Sequence, residues 1–177
     1  MQPTRLELAD GSSLEVRPLE RRDRARLADA IARLSDESRY LRFAAAKPRM
    51  TERELDHLVD VDHHDREALL AIDPRTRRGV AVVRYASAHD EPRAAEVAVT
   101  VADEWQGRGL GKALLAMLID RAREEGKTEL RASVLAANGR SIAMLRHAGF
   151  TIRPGGGVLL EYERPLAGQQ RSQPPQA

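Results

Sequence analysis

The chain has 177 residues, 42% hydrophobic and 32% charged, a length and balance that suit one globular domain with a full core. A formal net charge of +2 is too small to argue for nucleic acid, and zero cysteines exclude disulfides, thiolate metal sites and a cysteine nucleophile. With no apolar run of about 18 residues and no charged-then-apolar leader, a cytoplasmic protein without membrane contact is expected.

Thr4 to Pro18 reads as a hairpin, with Leu6 and Leu8 alternating before the turn dipeptide Asp10-Gly11 and Leu14 and Val16 alternating after it. Asp23 is expected to cap a helix whose apolar face is Leu27, Ala30, Ile31 and Leu34. Ser35 to Phe43 opens with a second cap, and Tyr40 and Phe43, three apart, are expected in the core because aromatic rings carry much apolar area. Thr51-x-x-Glu54 is a capping-box pattern ahead of a stripe of Leu55, Leu58 and Val59. Asp60 to Asp65 clusters carboxylates and imidazoles, but His57, His63 and His64 lack the placement of a helical zinc pair, so a solvated loop and no metal are expected. Glu67 to Asp73 and Val80 to Tyr85 read as antiparallel strands around a turn at Pro74 to Gly79.

From Ala94 to Leu118 the period changes. Val97, Val99 and Val101 alternate with Glu96, Ala98 and Thr100, the two-residue period of a strand. Leu110, Ala113, Leu114, Met117 and Leu118 then fall on one face of a helix. Between them lies Gln106-Gly107-Arg108-Gly109-Leu110-Gly111. Glycines where a helix opens let an oxygen-bearing ligand approach N–H groups that lack intrahelical partners, which makes an anion site suited to phosphate. No Lys-Ser or Lys-Thr follows, so this is not a P-loop, and the spacing is not the dinucleotide fingerprint. The helix stops near Gly126, Leu130, Ala132 and Val134 form a strand parallel to the central one, and Asn138 caps a helix that ends at Gly149. Thr151 to Arg153 and Val158 to Glu163 complete the sheet. One domain is expected over residues 1–164, with a disordered polar tail over 165–177.

Gln106-x-x-Gly109-x-Gly111 after a strand, followed by NGRSIAMLRHAGF from Asn138 to Phe150, resembles the GCN5-related N-acetyltransferases over nearly the whole chain. The resemblance implies an α/β fold: a mixed, mostly antiparallel sheet flanked by helices, with a central parallel strand pair splayed to admit acetyl-CoA. It implies that Val99, Thr100 and Val101 line the pantetheine, that Gln106, Gly107, Arg108, Gly109, Leu110, Gly111 and Lys112 form the pyrophosphate loop, and that Asn138 contacts the cofactor. SRYLRF, TERELDHL and DHHDREALLAID further resemble the acetyltransferase domain of bacterial protein-lysine acetyltransferases that modify acyl-CoA synthetases.

A lysine-like amine, with a pKa of about 10.4, needs a base near neutral pH, and Glu96 is the candidate from both its position in the central strand and the resemblance. The thioester oxygen would be stabilised by the N–H of Val99 or Val101. Many family members protonate the departing thiolate with a tyrosine after the capping asparagine; Leu145 occupies that position, which leaves Tyr85 and Tyr162 as substitutes. The expected acceptor is a protein lysine, on a partner such as an acyl-CoA synthetase. A small amine is the enzyme alternative, a silent acetyl-CoA-sensing module the non-enzyme one, and the oligomeric state stays open.

Overall fold

The computed structural model describes residues 1–43, 50–155 and 157–166. Eight strands form one sheet in the order β1-β2-β3-β4-β5-β6-β8-β7. The elements in chain order are β1 Thr4–Glu7, β2 Ser13–Pro18, α1 Arg24–Ala32, α2 Asp36–Phe43, α3 Glu52–Val59, β3 Arg66–Ile72, β4 Gly79–Ala88 and β5 Glu91–Val101. They continue with α4 Leu110–Glu124, β6 Glu129–Leu135, α5 Gly139–His147, β7 Thr151–Ile152 and β8 Leu159–Pro165. Every pair is antiparallel except β5–β6, where α4 crosses over between the two strands. This is the mixed sheet with one parallel pair that the sequence pattern predicts.

Both faces are covered, which is why β3 is apolar without alternation from Ala68 to Ile72. On one face Leu110, Leu114 and Leu118 of α4 and Leu145 of α5 pack on Val16, Leu69, Val83 and Val97. On the other, Leu27 and Ile31 of α1 and Leu55 and Val59 of α3 pack on Leu70, Ile72 and Val82. The capping box at Thr51 forms as expected, with Thr51 Oγ1 accepting from Glu54 N and Glu54 Oε2 accepting from Thr51 N at 2.8 Å.

Several local expectations change. Asp23 sits at the helix start, but its side chain does not cap α1: both carboxylate oxygens accept from Arg17 at 2.7 Å, and Arg26 also donates to it. Tyr40 is exposed, while Phe43 is half-buried against the α1–α3 cluster. The Asp60–Asp65 loop is tied down, with Asp62 Oδ1 accepting the N–H groups of His64, Asp65 and Arg66 at 2.8–2.9 Å. His63 and His64 pair with Glu67 and Glu125, each at 2.7 Å. At the other end, Pro165 closes β8 and Leu166 is buried, its N–H donating to Thr128 O at 2.8 Å. The expected tail therefore overlaps the fold by two residues, and its remainder, 167–177, lies outside the described residues.

Candidate active site

The site begins where a ladder stops. β5 and β6 pair at Ala94↔Glu129, Ala95↔Leu130 and Glu96↔Arg131, and no further. β5 nevertheless continues to Val101 and β6 to Leu135, so beyond Glu96 the two strands part. Each keeps its other neighbour: β4 pairs with β5 to Val101, and β8 pairs with β6 to Leu135. Backbone groups along β5 alternate in direction. Ala102 N donates to Val80 O on β4, whereas Arg93 O accepts from Thr128 N on the β6 side. The N–H groups of odd-numbered residues thus turn toward β6; Val97 still adjoins the last registered pair, while those of Val99 and Val101, past it, point into the gap, and those of Ala98 and Thr100 point to β4.

A cleft of about 1130 Å³ fills the gap and runs from Glu96 past Val99 to the glycine loop and α5. That exceeds the ~300–1,000 Å³ usual for a small-ligand pocket and leaves room for two reactants. Gly107 and Gly109 have φ of 75° and 83°, which side-chain-bearing residues rarely adopt, and a Cβ on either would meet nothing within 4 Å. Gly109 is the N-cap of α4 and no side chain caps that end, so the first amides of the helix, at Leu110, Gly111 and Lys112, face the cleft without an intrahelical acceptor. An open, uncapped helix start with positive-φ glycines fits a diphosphate. Gly111 is glycine for another reason: its Cβ would lie 3.2 Å from Met144 Sδ and 3.5 Å from Val101, so it lets α4, α5 and β5 approach.

The remaining expected residues separate by role. Gln106 braces the cleft: its Nε2 lies 2.9–3.1 Å from Asp103 Oδ1, Ser38 Oγ and Val101 O, and its Oε1 accepts from Arg140 at 2.7 Å. Arg108 stacks 4.8 Å from the Trp105 ring centroid and reaches Asp10 at 3.6 Å, which ties the loop to the β1–β2 turn. Lys112 is exposed on the cleft wall. Asn138 Oδ1 accepts from Ser141 N at 3.0 Å, capping α5, and its Nδ2 has no protein acceptor among the described residues.

Glu96 is exposed at the point where the strands part, and Ser133 Oγ lies 3.1 Å from both Glu96 Oε1 and Glu161 Oε2. Thr100 turns its hydroxyl away from α4 and accepts from Arg42 Nε at 3.0 Å. Arg42 was missed in the sequence, where SRYLRF drew attention for its rings. Neither proposed substitute acid reaches the cleft. Tyr85 is buried and donates to His64 O at 3.0 Å, and burial, reinforced by the negative charge of Glu67, pushes its phenol up, away from proton donation. Tyr162 is buried in the α4-side core, and Leu145 packs there too.

The described residues contain no helix long and apolar enough to cross a membrane. Residues 29–150 match the family model described as "Acetyltransferase (GNAT) family". Acetyltransferase PA5475 from Pseudomonas aeruginosa is 37% identical over 133 residues, 74% of this chain and 71% of that protein. Acetyltransferase Pat from Mycolicibacterium smegmatis is 29% identical over 77% of this chain, and the match spans only 40% of that longer protein. The crystal structure of the GNAT domain of S. lividans PAT superposes with a TM-score of 0.86 at 34% identity, covering 93% of this chain and 97% of that one. An uncapped, glycine-opened helix beside a splayed parallel pair, together with these matches, places the chain in the GNAT family of acyl-CoA-dependent N-acetyltransferases.

Proposed function

We propose that this chain moves the acetyl group of acetyl-CoA onto the side-chain amine of a protein lysine, on a partner such as an acyl-CoA synthetase, with Glu96 as general base. The observation that carries the reading is the end of the β5–β6 ladder at Glu96: one carboxylate stands where unpaired amides of β5 and an uncapped helix start converge on a single cleft. Acetyl-CoA supplies an activated thioester. Val99 and Val101, whose N–H groups turn into the gap, receive the pantetheine, and one of them donates to the carbonyl oxygen as negative charge develops there. The amides from Gly107 to Lys112 hold the diphosphate, with Arg108 and Lys112 contributing positive charge and Asn138 Nδ2 donating from α5.

The acceptor arrives as an ammonium ion. Deprotonating a group of pKa about 10.4 near pH 7 costs about 4–5 kcal/mol. Glu96, exposed at the mouth, takes that proton directly or through one water, and its exposure suits an amine presented on the surface of another protein. The free amine attacks the carbonyl with no covalent enzyme intermediate. The departing thiolate takes its proton from water, since Leu145, Tyr85 and Tyr162 offer no acid in the cleft.

A mass-spectrometric screen of acyl-CoA synthetases against a panel of small amines identifies the acceptor. Acetylation confined to small amines replaces the protein-lysine reading, and acetyl-CoA binding without CoA release to any amine would leave a sensing module.

A further inference from the structure

The face of the sheet opposite α4 carries one buried and one half-buried guanidinium that no carboxylate among the described residues pairs with directly. Arg84, on β4, is 9% exposed, and its Nη1 donates only to the carbonyl of Leu58, at 3.1 Å. Arg42, on α2, is held by Thr100 Oγ1 at 3.0 Å and lies 4.9 Å from the Phe43 ring centroid. Among the described residues neither guanidinium has a carboxylate within ion-pair distance. Burial, with the like charges of Arg42 and Arg66, disfavours the charged form of Arg84; burial does the same to Arg42, opposed by the negative charge of Glu96.

The same face shows how the chain treats a largely covered guanidinium when the task is structural. Arg17 meets the fully buried Asp23 through two parallel 2.7 Å bonds. Leaving the buried Arg84 and the half-buried Arg42 without such a partner is costly in a low-dielectric setting, and Arg42, the one that reaches the cleft, is open to a partner that comes and goes. Arg42 is placed to receive it: the residue lines both a small apolar cavity shared with Arg84 and the main cleft shared with Glu96. With Nε committed to Thr100, its two terminal nitrogens remain as a pre-oriented fork for an oxyanion.

We infer that the acceptor carries an anionic group, a carboxylate or an equivalent oxyanion, which Arg42 binds while the acceptor's amine faces Glu96. This rests on the acetyl transfer proposed above and narrows its substrate class to amines with a negative charge nearby. The charge can come from the carboxylate of a free amino acid or from an acidic side chain next to the target lysine. Arg84 acts from behind, raising the positive potential at Arg42.

Matched acceptors test this in the full chain with acetyl-CoA: Nα-acetyl-lysine against its C-terminal amide, and lysine peptides flanked by Asp against the same peptides flanked by Asn. We expect kcat/KM to favour the carboxylate at least tenfold in one pair; which pair shows it identifies the source. Arg42→Gln should bring that ratio toward one. Arg42→Lys, which keeps the charge but loses the fork, should lower it several-fold and carries the test if the Gln variant does not fold. Equal rates within both pairs, or a preference that survives both variants, overturns the inference. If acetyl-CoA binds but no acceptor turns over, calorimetric titration of the same pairs onto the acetyl-CoA-loaded protein decides: no discrimination overturns it. A wild-type protein that takes up no acetyl-CoA defeats the proposed transfer itself, an outcome distinct from a transferase without charge preference.

Discussion

Odd- and even-numbered residues of β5 face two different environments. Val97, Val99 and Val101 turn apolar side chains to α4, and the last two turn unpaired amides into the gap, whereas Glu96, Ala98 and Thr100 look to the opposite face, which also carries Arg42 of α2 and Arg84 of β4. Because alternate side chains of a strand emerge on opposite faces, one strand can carry the proposed cofactor wall and the proposed acceptor wall without either set of groups intruding on the other. The face proposed to hold the cofactor is built from backbone and glycine, whose geometry tolerates little change. The face proposed to receive the acceptor carries the charged side chains Glu96, Arg42 and Arg84.

The largest expected effect falls on the start of α1, on the same face as Arg42 and Arg84. Asp23→Ala removes the fully buried carboxylate, leaves the largely covered Arg17 unpaired and should cost about 3–5 kcal/mol in chemical denaturation. Burial alone would raise the Asp23 carboxyl, but Arg17, the Glu20 amide and Arg26 outweigh it and hold it below its usual range. A depressed native pKa stabilises above the unfolded value, about 3.9, and that contribution disappears as pH falls through the native one. The wild type should therefore lose stability below about pH 4 in a way the variant does not.

Next, Glu96→Gln should lower kcat by about a hundredfold or more while leaving the calorimetric Kd for acetyl-CoA unchanged, because the change falls on one face of β5 only. Normal turnover in this variant removes Glu96 as the base and breaks the division between the two walls.

Gly109→Val acts on the opposite wall. A β-branched residue at φ 83° costs about 1–3 kcal/mol and places a side chain over the uncapped amides, so the acetyl-CoA Kd should rise at least tenfold. The smallest effect sharpens the contrast at Asn138. Asn138→Ala should lower stability by about 1 kcal/mol, a Tm shift of about 2–4 °C, through loss of the α5 cap. Asn138→Asp keeps the cap but not the amide donor, so a weakened acetyl-CoA Kd in a variant of wild-type Tm would separate the two roles.

Much of this organisation is readable along the chain. The valine alternation, the helical spacing from Leu110 and the Thr51–Glu54 capping box are local signals, and each appears in the structure where its residues predict it. The failures share a cause. Asp23 reads as a helix cap because it precedes an apolar periodic stretch, but Arg17 on β2 claims its carboxylate. Pro165 and Leu166 read as tail because polar residues follow, yet Leu166 finds the core through Thr128. Arg42 carries no signal of its own along the chain, and its place beside Thr100 emerges only when α2 folds over β5.

Sequence alone determined the order and type of the elements, the glycine loop and the single parallel crossover, because these depend on residue periodicity and on backbone freedom over a few positions. Only the tertiary structure decided where β5 and β6 part, which amides that parting leaves unpaired, and which buried charges go without partners. Those are properties of segments up to about 60 residues apart along the chain, as Arg42 and Thr100 are, and no local pattern encodes which distant groups will meet.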